Sequence, residues 1–129
     1  MKPDFQLLAE RLDNECEKMP FHTGWYLKNI KTGEVADRNG DVIVPSASTR
    51  KIAILMASLK AVHENTLALN QDVLIEEKFQ ANDSGCFQHL KPGFRITLQD
   101  ALTMMIIVSD NTCTGAVSDL VGLNTVNSF

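Results

Sequence analysis

The chain has 129 residues, of which 44% are hydrophobic and 22% are charged, which is typical of one globular domain or part of a larger one. Its formal net charge is −4 and its basic residues are scattered, so a nucleic-acid-binding surface is not expected. No stretch has the length of a membrane span, and the N-terminus lacks the apolar core of a signal peptide. Three cysteines without zinc-ligand spacing predict packing residues rather than a disulfide framework or a metal site: Cys16, Cys86 and Cys113.

The N-terminal third predicts one helix followed by short strands. Asp4 is a good N-cap for a helix that Pro20 would end. The apolar positions of this helix recur at helical spacing: Phe5, Leu8, Leu12, Cys16 and Met19. Residues 25–39 then predict a β-hairpin that turns at Lys31-Thr32-Gly33, and residues 42–44 predict a third short extended piece.

From Ser48 onwards the sequence predicts helices only. The first runs to about Asn65 and carries one apolar stripe: Ile52, Leu55, Met56, Leu59 and Val62. An irregular stretch follows, with turn signals at residues 82–85 and 92–93. The sequence therefore predicts two parts with different character, residues 1–47 with a helix and strands and residues 48–129 with helices.

The last third predicts a helix that begins with a capping box, in which Thr97 caps the helix and the Asp100 side chain binds back to Thr97. That helix ends near Val108, and its apolar run at residues 104–107 is expected to lie in the core. Another helix is predicted from about residue 112 to 121, where Gly122 ends it, and Asn124 then resembles the cap of one more turn.

A serine at the start of the long helix is followed three residues later by a lysine. This spacing places Ser48 and Lys51 on one helix face. A serine hydroxyl becomes a good nucleophile when a base takes its proton, and a lysine can be that base when burial or a helix dipole lowers its pKa. The Ser48 N–H could also help to hold an oxyanion. The pattern alone is a weak signal, because a chain of this length contains it by chance roughly every other time.

Ser109-Asp110-Asn111 lies between two predicted helices. The tripeptide is rare by chance, about 2% for a chain of this size. One interpretation is purely structural, since all three residue types make good N-caps. The other is functional, with Ser109 passing a proton and the Asn111 amide orienting a substrate carbonyl. The sequence of the tripeptide alone leaves both open.

The two motifs together, in this order, are the first two of the three known in class A β-lactamases and penicillin-binding proteins. The whole chain resembles the N-terminal part of that serine hydrolase family. Three segments carry the resemblance: "PSASTRK", "SGCFQHLKPGFRITLQDAL" and "MMIIVSDNTCTGAVSDLVG". The resemblance implies an α+β fold with two lobes, here without the later sheet strands and the C-terminal helix.

The resemblance also implies roles for individual residues. Ser48 is expected to be the acylated nucleophile and Lys51 the lysine that helps to activate it. Ser109 is expected to pass a proton to the β-lactam nitrogen, and Asn111 to bind the substrate side-chain carbonyl. Asp110 is expected to support the site by accepting backbone N–H bonds. Neither a metal nor an organic cofactor is implied, and the substrate would be a β-lactam or a peptidoglycan-like molecule.

Two parts that the family uses are absent from this sequence. The third motif, Lys-Thr/Ser-Gly, follows Ser-Asp-Asn in the family, whereas Lys31-Thr32-Gly33 precedes Ser48 and is interpreted as a hairpin turn. The glutamate that activates the deacylating water is also missing. We therefore expect this chain to be a piece of a longer protein, or to be completed by a second chain. A D,D-peptidase and a non-catalytic truncated remnant remain as alternatives.

The resemblance supplies a few further expectations. Family members work outside the cytoplasmic membrane, so a periplasmic or secreted location is expected. The segment around Ser84 and Gly85 would border the site entrance, where Cys86 and Phe87 could contact substrate. The isolated histidines are expected to be surface or packing residues: His22, His63 and His89.

Overall fold

The computed structural model describes residues 5–80 and 84–128, so the predicted cap Asp4 and part of the predicted turn at 82–85 lie outside the described residues. Five helices and four strands occur in these ranges: α1 (Phe5–Glu17), β1 (Trp25–Lys28), β2 (Val35–Arg38), α2 (Arg50–His63), β3 (Asp72–Ile75), β4 (Phe94–Thr97), α3 (Leu98–Ile107), α4 (Asn111–Val121) and α5 (Leu123–Asn127). The mixed helix-and-strand class predicted from the sequence is confirmed. Among the described residues, no helix combines the length and the apolar character needed to cross a bilayer.

The first compact unit, Met1–Pro45, contains α1 and the predicted hairpin. β1 and β2 pair antiparallel, with Trp25 opposite Arg38. Gly33 adopts φ +80° in the turn, which a residue without Cβ accepts readily, so its interpretation as a turn glycine is confirmed. The predicted extended piece at residues 42–44 joins no strand, and Ile43 is 98% exposed.

The second unit, Ser46–Phe129, contains the other elements. The expectation that this part is all helical is wrong, because β3 and β4 form an antiparallel hairpin with Val73 opposite Ile96 and Ile75 opposite Phe94. Val73 and Ile75 are buried on one face of β3, whereas its alternate residues are exposed. The strands have four residues each and are far apart in sequence, so local periodicity gives little sign of their pairing.

The core of this unit lies where β3, α2, α3 and α4 meet. Helix α2 contributes a different face from the one predicted: its buried residues are Lys51, Ile54, Ala57, Ser58 and Ala61. Most of these side chains are small, which allows neighbouring elements to pack closely. Three residues of the predicted stripe are exposed, Ile52, Met56 and Leu59, whereas Leu55 and Val62 are partly buried and pack against the core. The predicted stripe is therefore only partly buried, and the most buried face lies beside it.

The Thr97 cap of α3 is confirmed, because its hydroxyl accepts the Asp100 N–H at 3.1 Å, and the Asp100 carboxylate contacts that hydroxyl at 2.7 Å. The core prediction for residues 104–107 holds for Met105, which is fully buried, and fails for Ile106 and Ile107, which are exposed. Helix α4 ends before Gly122, as predicted, where φ is +82°. Helix α5 begins directly after that glycine, so the cap predicted at Asn124 is wrong.

Candidate active site

Ser48 lies in a 3₁₀ turn, Ala47–Thr49, directly before α2. Ser48 is exposed, and its Oγ lies 2.8 Å from the Oγ of Ser109. The preceding Ala47 adopts φ +45°, a conformation that costs a residue with a Cβ about 1–2 kcal/mol. Backbone strain of this kind concentrates at functional sites, so the turn that presents Ser48 is consistent with a functional role.

The Lys51 amine is surrounded by neutral oxygens. The residue is only 2% exposed, and its Nζ donates to the carbonyl of Ser109 at 2.6 Å, to Ser109 Oγ at 2.8 Å and to Asn111 Oδ1 at 2.8 Å. Within the described part of the chain, Lys51 forms no salt bridge. Three neutral acceptors match the three N–H donors of an ammonium without neutralising its charge.

This environment shifts the charge state of Lys51. Burial lowers the pKa of the amine below its ordinary value of 10.5, and the neighbouring Arg50 lowers the pKa further. Asp110 and Cys113 act in the opposite direction and only partly offset these effects. The neutral amine, which has a lone pair able to accept a proton, is therefore more populated near neutral pH than in an exposed lysine.

Ser109 connects the exposed hydroxyl to the buried amine. It follows the C-cap of α3 and adopts φ +56°, so its side chain and carbonyl leave the helix in a direction that an ordinary helical residue would not take. Its hydroxyl contacts Ser48 Oγ on one side and Lys51 Nζ on the other. The three groups form a continuous hydrogen-bonded path from the exposed hydroxyl to the amine.

Asp110 is fully buried and caps α4. Its Oδ1 accepts the Cys113 N–H at 2.9 Å, and its Oδ2 accepts the N–H groups of Cys86 at 2.7 Å and Phe87 at 2.9 Å. One carboxylate thus holds together the start of α4 and the loop before β4. Both interpretations of the tripeptide are compatible with this geometry, because Asp110 caps a helix while Ser109 and Asn111 contact Lys51.

The loop before β4 approaches the tripeptide more closely than the sequence suggested. Gly85 adopts φ +99°, and a Cβ at this position would overlap the side chain and Cα of Asp110. Ser84 binds both neighbours of that aspartate: its hydroxyl donates to the Ser109 carbonyl at 3.2 Å, and its carbonyl accepts the Asn111 N–H at 2.9 Å. The sequence predicts no contact between Ser84 and the tripeptide, and the adjacent Gly85 is its only local signal of a close approach.

Among the remaining sequence candidates, Cys86, Phe87 and Cys113 contact the site through backbone N–H groups that donate to Asp110. All three histidines are exposed. Cys113 is buried in the core, and its burial, with Asp110 beside it, raises the pKa of its thiol well above the usual range. The packing role predicted for the cysteines is thus confirmed for Cys113 and wrong for Cys86, which is exposed. The predicted substrate contacts of Cys86 and Phe87 stay predictions.

Comparison with known proteins identifies the class of protein that carries this site. The chain matches the family model of the Beta-lactamase enzyme family over residues 7–129 and belongs to that family. The resemblance noted in the sequence is thereby confirmed. No curated protein matches the sequence significantly.

Solved structures of related proteins give the same fold. PBP-A is 28% identical with a TM-score of 0.88, and the match covers 96% of this chain and 48% of PBP-A. A PBP-A variant was solved as an acyl-enzyme complex with penicillin G. A β-lactamase from Sphaerobacter thermophilus DSM 20745 is 32% identical with a TM-score of 0.81, over 93% of this chain and 45% of that protein. The chain thus spans about half the length of these relatives.

A third solved structure is similar in fold alone. The D-alanyl-D-alanine carboxypeptidase DacD from Francisella tularensis has a TM-score of 0.68 at 21% identity, over 81% of this chain and 27% of that protein. The family and its structural neighbours are serine hydrolases, so the chain has a serine-hydrolase fold of the β-lactamase family.

Proposed function

We propose that this chain carries the acylating half of a class A β-lactamase-type active site, with Ser48 as the nucleophile. The observation that supports the proposal most directly is the path Ser48 Oγ, Ser109 Oγ, Lys51 Nζ, in which each contact measures 2.8 Å. It joins an exposed hydroxyl to a buried amine whose pKa is lowered, which is what activation of a serine requires.

The proposed reaction opens a β-lactam. Ser48 Oγ forms a bond to the lactam carbonyl carbon while its proton passes through Ser109 to the neutral Lys51 amine. The carbon–nitrogen bond of the lactam then breaks as Ser109 delivers its proton to the leaving nitrogen, and the Lys51 ammonium returns a proton to Ser109, which leaves the amine neutral. Asn111 would bind the substrate's side-chain carbonyl through its amide, since its Oδ1 is already held by Lys51. Water finally hydrolyses the ester and frees Ser48.

Covalent labelling tests the proposal. The chain is incubated with a fluorescent penicillin, and the adduct is measured by intact mass. We expect an adduct on the unaltered chain and none on Ser48→Ala. Ser46→Ala is the matched control, because Ser46 is also exposed, lies in the same turn and makes no side-chain capping hydrogen bond. No adduct on a folded sample, or an adduct that persists in Ser48→Ala, would contradict the proposal.

A D,D-peptidase is the second candidate, because PBP-A is among the most similar structures and its variant forms a penicillin acyl-enzyme. The two candidates differ in the fate of the adduct. A β-lactamase hydrolyses the acyl group and returns to the free mass, whereas a peptidase retains the penicillin. Because deacylation needs elements outside this chain, the adduct mass is followed after removal of free penicillin in the whole protein that supplies those elements, and its loss or retention separates the candidates.

The residues of this chain account for acylation but not for the complete reaction. The chain spans about half of its relatives, so turnover by the whole protein, including deacylation, would need elements that this sequence does not contain. We propose that a second chain or a C-terminal part supplies them, and that the enzyme works outside the cytoplasmic membrane, where β-lactams and peptidoglycan are found. Mixing this chain with the corresponding C-terminal half of a relative and measuring β-lactam hydrolysis would test the first point.

A further inference from the structure

One loop residue contacts both groups that surround the Lys51 amine. The hydroxyl of Ser84 donates to the Ser109 carbonyl at 3.2 Å, and the Ser84 carbonyl accepts the Asn111 N–H at 2.9 Å. Lys51 in turn donates to that same Ser109 carbonyl at 2.6 Å and to Asn111 Oδ1 at 2.8 Å. Ser84 therefore acts on the amine through two of its partners.

The Ser109 carbonyl needs such support because its direction is not set by a helix. Ser109 adopts φ +56°, which is unfavourable for a residue with a Cβ, so surrounding contacts must hold it there. A carbonyl oxygen has two lone pairs, and here Lys51 and Ser84 share them. The Ser84 side chain is half-buried, so this contact is partly shielded from water.

We propose that Ser84 is a positioning residue of this site: its hydroxyl holds the Ser109 carbonyl, and its carbonyl holds the Asn111 main chain, in the arrangement that receives the Lys51 amine. The catalytic consequence rests on the function proposed above. The contacts by which Ser84 holds the Ser109 carbonyl and the Asn111 main chain do not depend on that function, because they lie within the chain.

Through the Ser109 carbonyl, the Ser84 hydroxyl affects the pKa of Lys51. When the Ser84 hydroxyl donates to the Ser109 carbonyl, that oxygen has less electron density to offer the ammonium. Removing the hydroxyl should favour the protonated amine and raise the pKa of Lys51. The titratable groups that face the amine stay the same in both proteins: Arg50 on α2, Asp110 as the cap of α4, and Cys113 in the first turn of α4.

The test is an NMR titration of the isotope-labelled lysine side chains, with Lys51→Met identifying the Lys51 signal. For Ser84→Ala we expect the titration midpoint of Lys51 to move upward by roughly half a pH unit, and for Ser84→Thr to stay near that of the unaltered chain. Ser128→Ala is the matched control, because its hydroxyl also donates to a backbone carbonyl, that of Thr125, outside the site. Circular dichroism verifies that each variant is folded.

The outcomes separate this inference from the proposed function. An unchanged Lys51 midpoint in folded Ser84→Ala, or an equal shift in Ser128→Ala, would overturn the inference. If Ser84→Ala does not fold, Ser84→Gly, which also lacks the hydroxyl, replaces it, and an unchanged midpoint there has the same meaning. Penicillin labelling of the same samples is read separately: no labelling of the unaltered chain contradicts the function, and the Lys51 midpoints still decide the role of Ser84.

Discussion

Asp110 carries an unusual share of the local hydrogen bonding for one side chain. A fully buried carboxylate receives three backbone N–H groups, from Cys86, Phe87 and Cys113, which belong to two different segments. A buried donor without a partner costs about 1–3 kcal/mol. The Cys113 N–H is buried and the contacts of Cys86 and Phe87 are half-buried, so all three donors depend on this carboxylate. The same carboxylate keeps Ser109 and Asn111, its neighbours in sequence, in place around Lys51.

We expect Asp110→Ala to lower the free energy of unfolding by about 3 kcal/mol or more, because it leaves three N–H groups without their acceptor. Urea denaturation followed by circular dichroism measures the change. Asp119→Ala is the control, since Asp119 is exposed and its contact with Lys78 is a surface ion pair at 3.6 Å, for which a change below about 1 kcal/mol is expected. Equal effects of the two substitutions would contradict the role assigned to Asp110.

The buried Lys51 should make the free energy of unfolding depend on pH. Its pKa is lowered in the folded chain, so between that pKa and 10.5 the unfolded chain binds more protons than the folded one. The contribution of Lys51 to the free energy of unfolding therefore rises as the pH increases through this window. Relative to Lys51→Met, the unaltered chain should gain stability between pH 7 and pH 10.5.

Urea denaturation at a series of pH values measures this gain. Lys60→Met serves as the comparison, because Lys60 lies exposed on the same helix. A difference between the unaltered chain and Lys51→Met that is constant from pH 7 to pH 10.5 would show that the Lys51 pKa is not lowered by folding.

At the scale of the elements, the site depends on a loop that passes close to the start of α4. Gly85 permits this approach, because any side chain there would meet the Cα of Asp110, a backbone atom that cannot rotate away. Gly93 also adopts a positive φ, +92°, yet has open space around the position of a Cβ. The two glycines therefore separate the cost of backbone conformation from the cost of a steric clash.

Gly93→Ala should destabilise the chain by about 1–2 kcal/mol, the cost of a positive φ for a residue with a Cβ. Gly85→Ala should cost at least about 2 kcal/mol more, because the clash adds to the strain and the loop must retreat from Asp110. Thermal or urea denaturation measures both variants. The interpretation fails if the two substitutions have the same effect.

On the scale of the whole molecule, the second unit leaves part of its apolar surface exposed. A groove of about 350 Å³ is lined by side chains from α2, α3 and the segment before β3: Leu55, Leu59, Leu69, Gln99, Leu102, Thr103, Ile106 and Ile107. Ile107 is 68% exposed at this groove. Contiguous exposed apolar surface of this kind binds apolar ligands, whereas isolated surface residues do not.

The groove should therefore bind a hydrophobic fluorescent dye such as anilinonaphthalene sulfonate. Ile107→Gln should weaken the dye fluorescence, since it removes apolar surface from the groove. Ile30→Gln is the control, because Ile30 is 91% exposed in the β1–β2 turn and does not line this groove. A chain that leaves the dye fluorescence unchanged, or an equal loss in both variants, would show that the groove is not a binding surface.

Local features were predictable from the sequence because each depends on residues close together in the chain. The Thr97 cap, the turn at Gly33 and the end of α4 at Gly122 all follow from backbone preferences within a few residues. The two motifs and their order also sufficed to predict the protein family. These parts required no knowledge of which elements lie next to each other in space.

Tertiary structure alone decided which side chains meet. Lys51 and Ser109 are 58 positions apart. The strands β3 and β4 are also separated by a long loop, and periodicity within a few residues cannot predict that they pair. The buried face of α2 carries mostly small residues and a lysine because neighbouring elements pack there, although the larger Ile52, Met56 and Leu59 are exposed. Packing and long-range hydrogen bonding, rather than side-chain type, thus determined the surroundings of Lys51 and the contacts of Ser84.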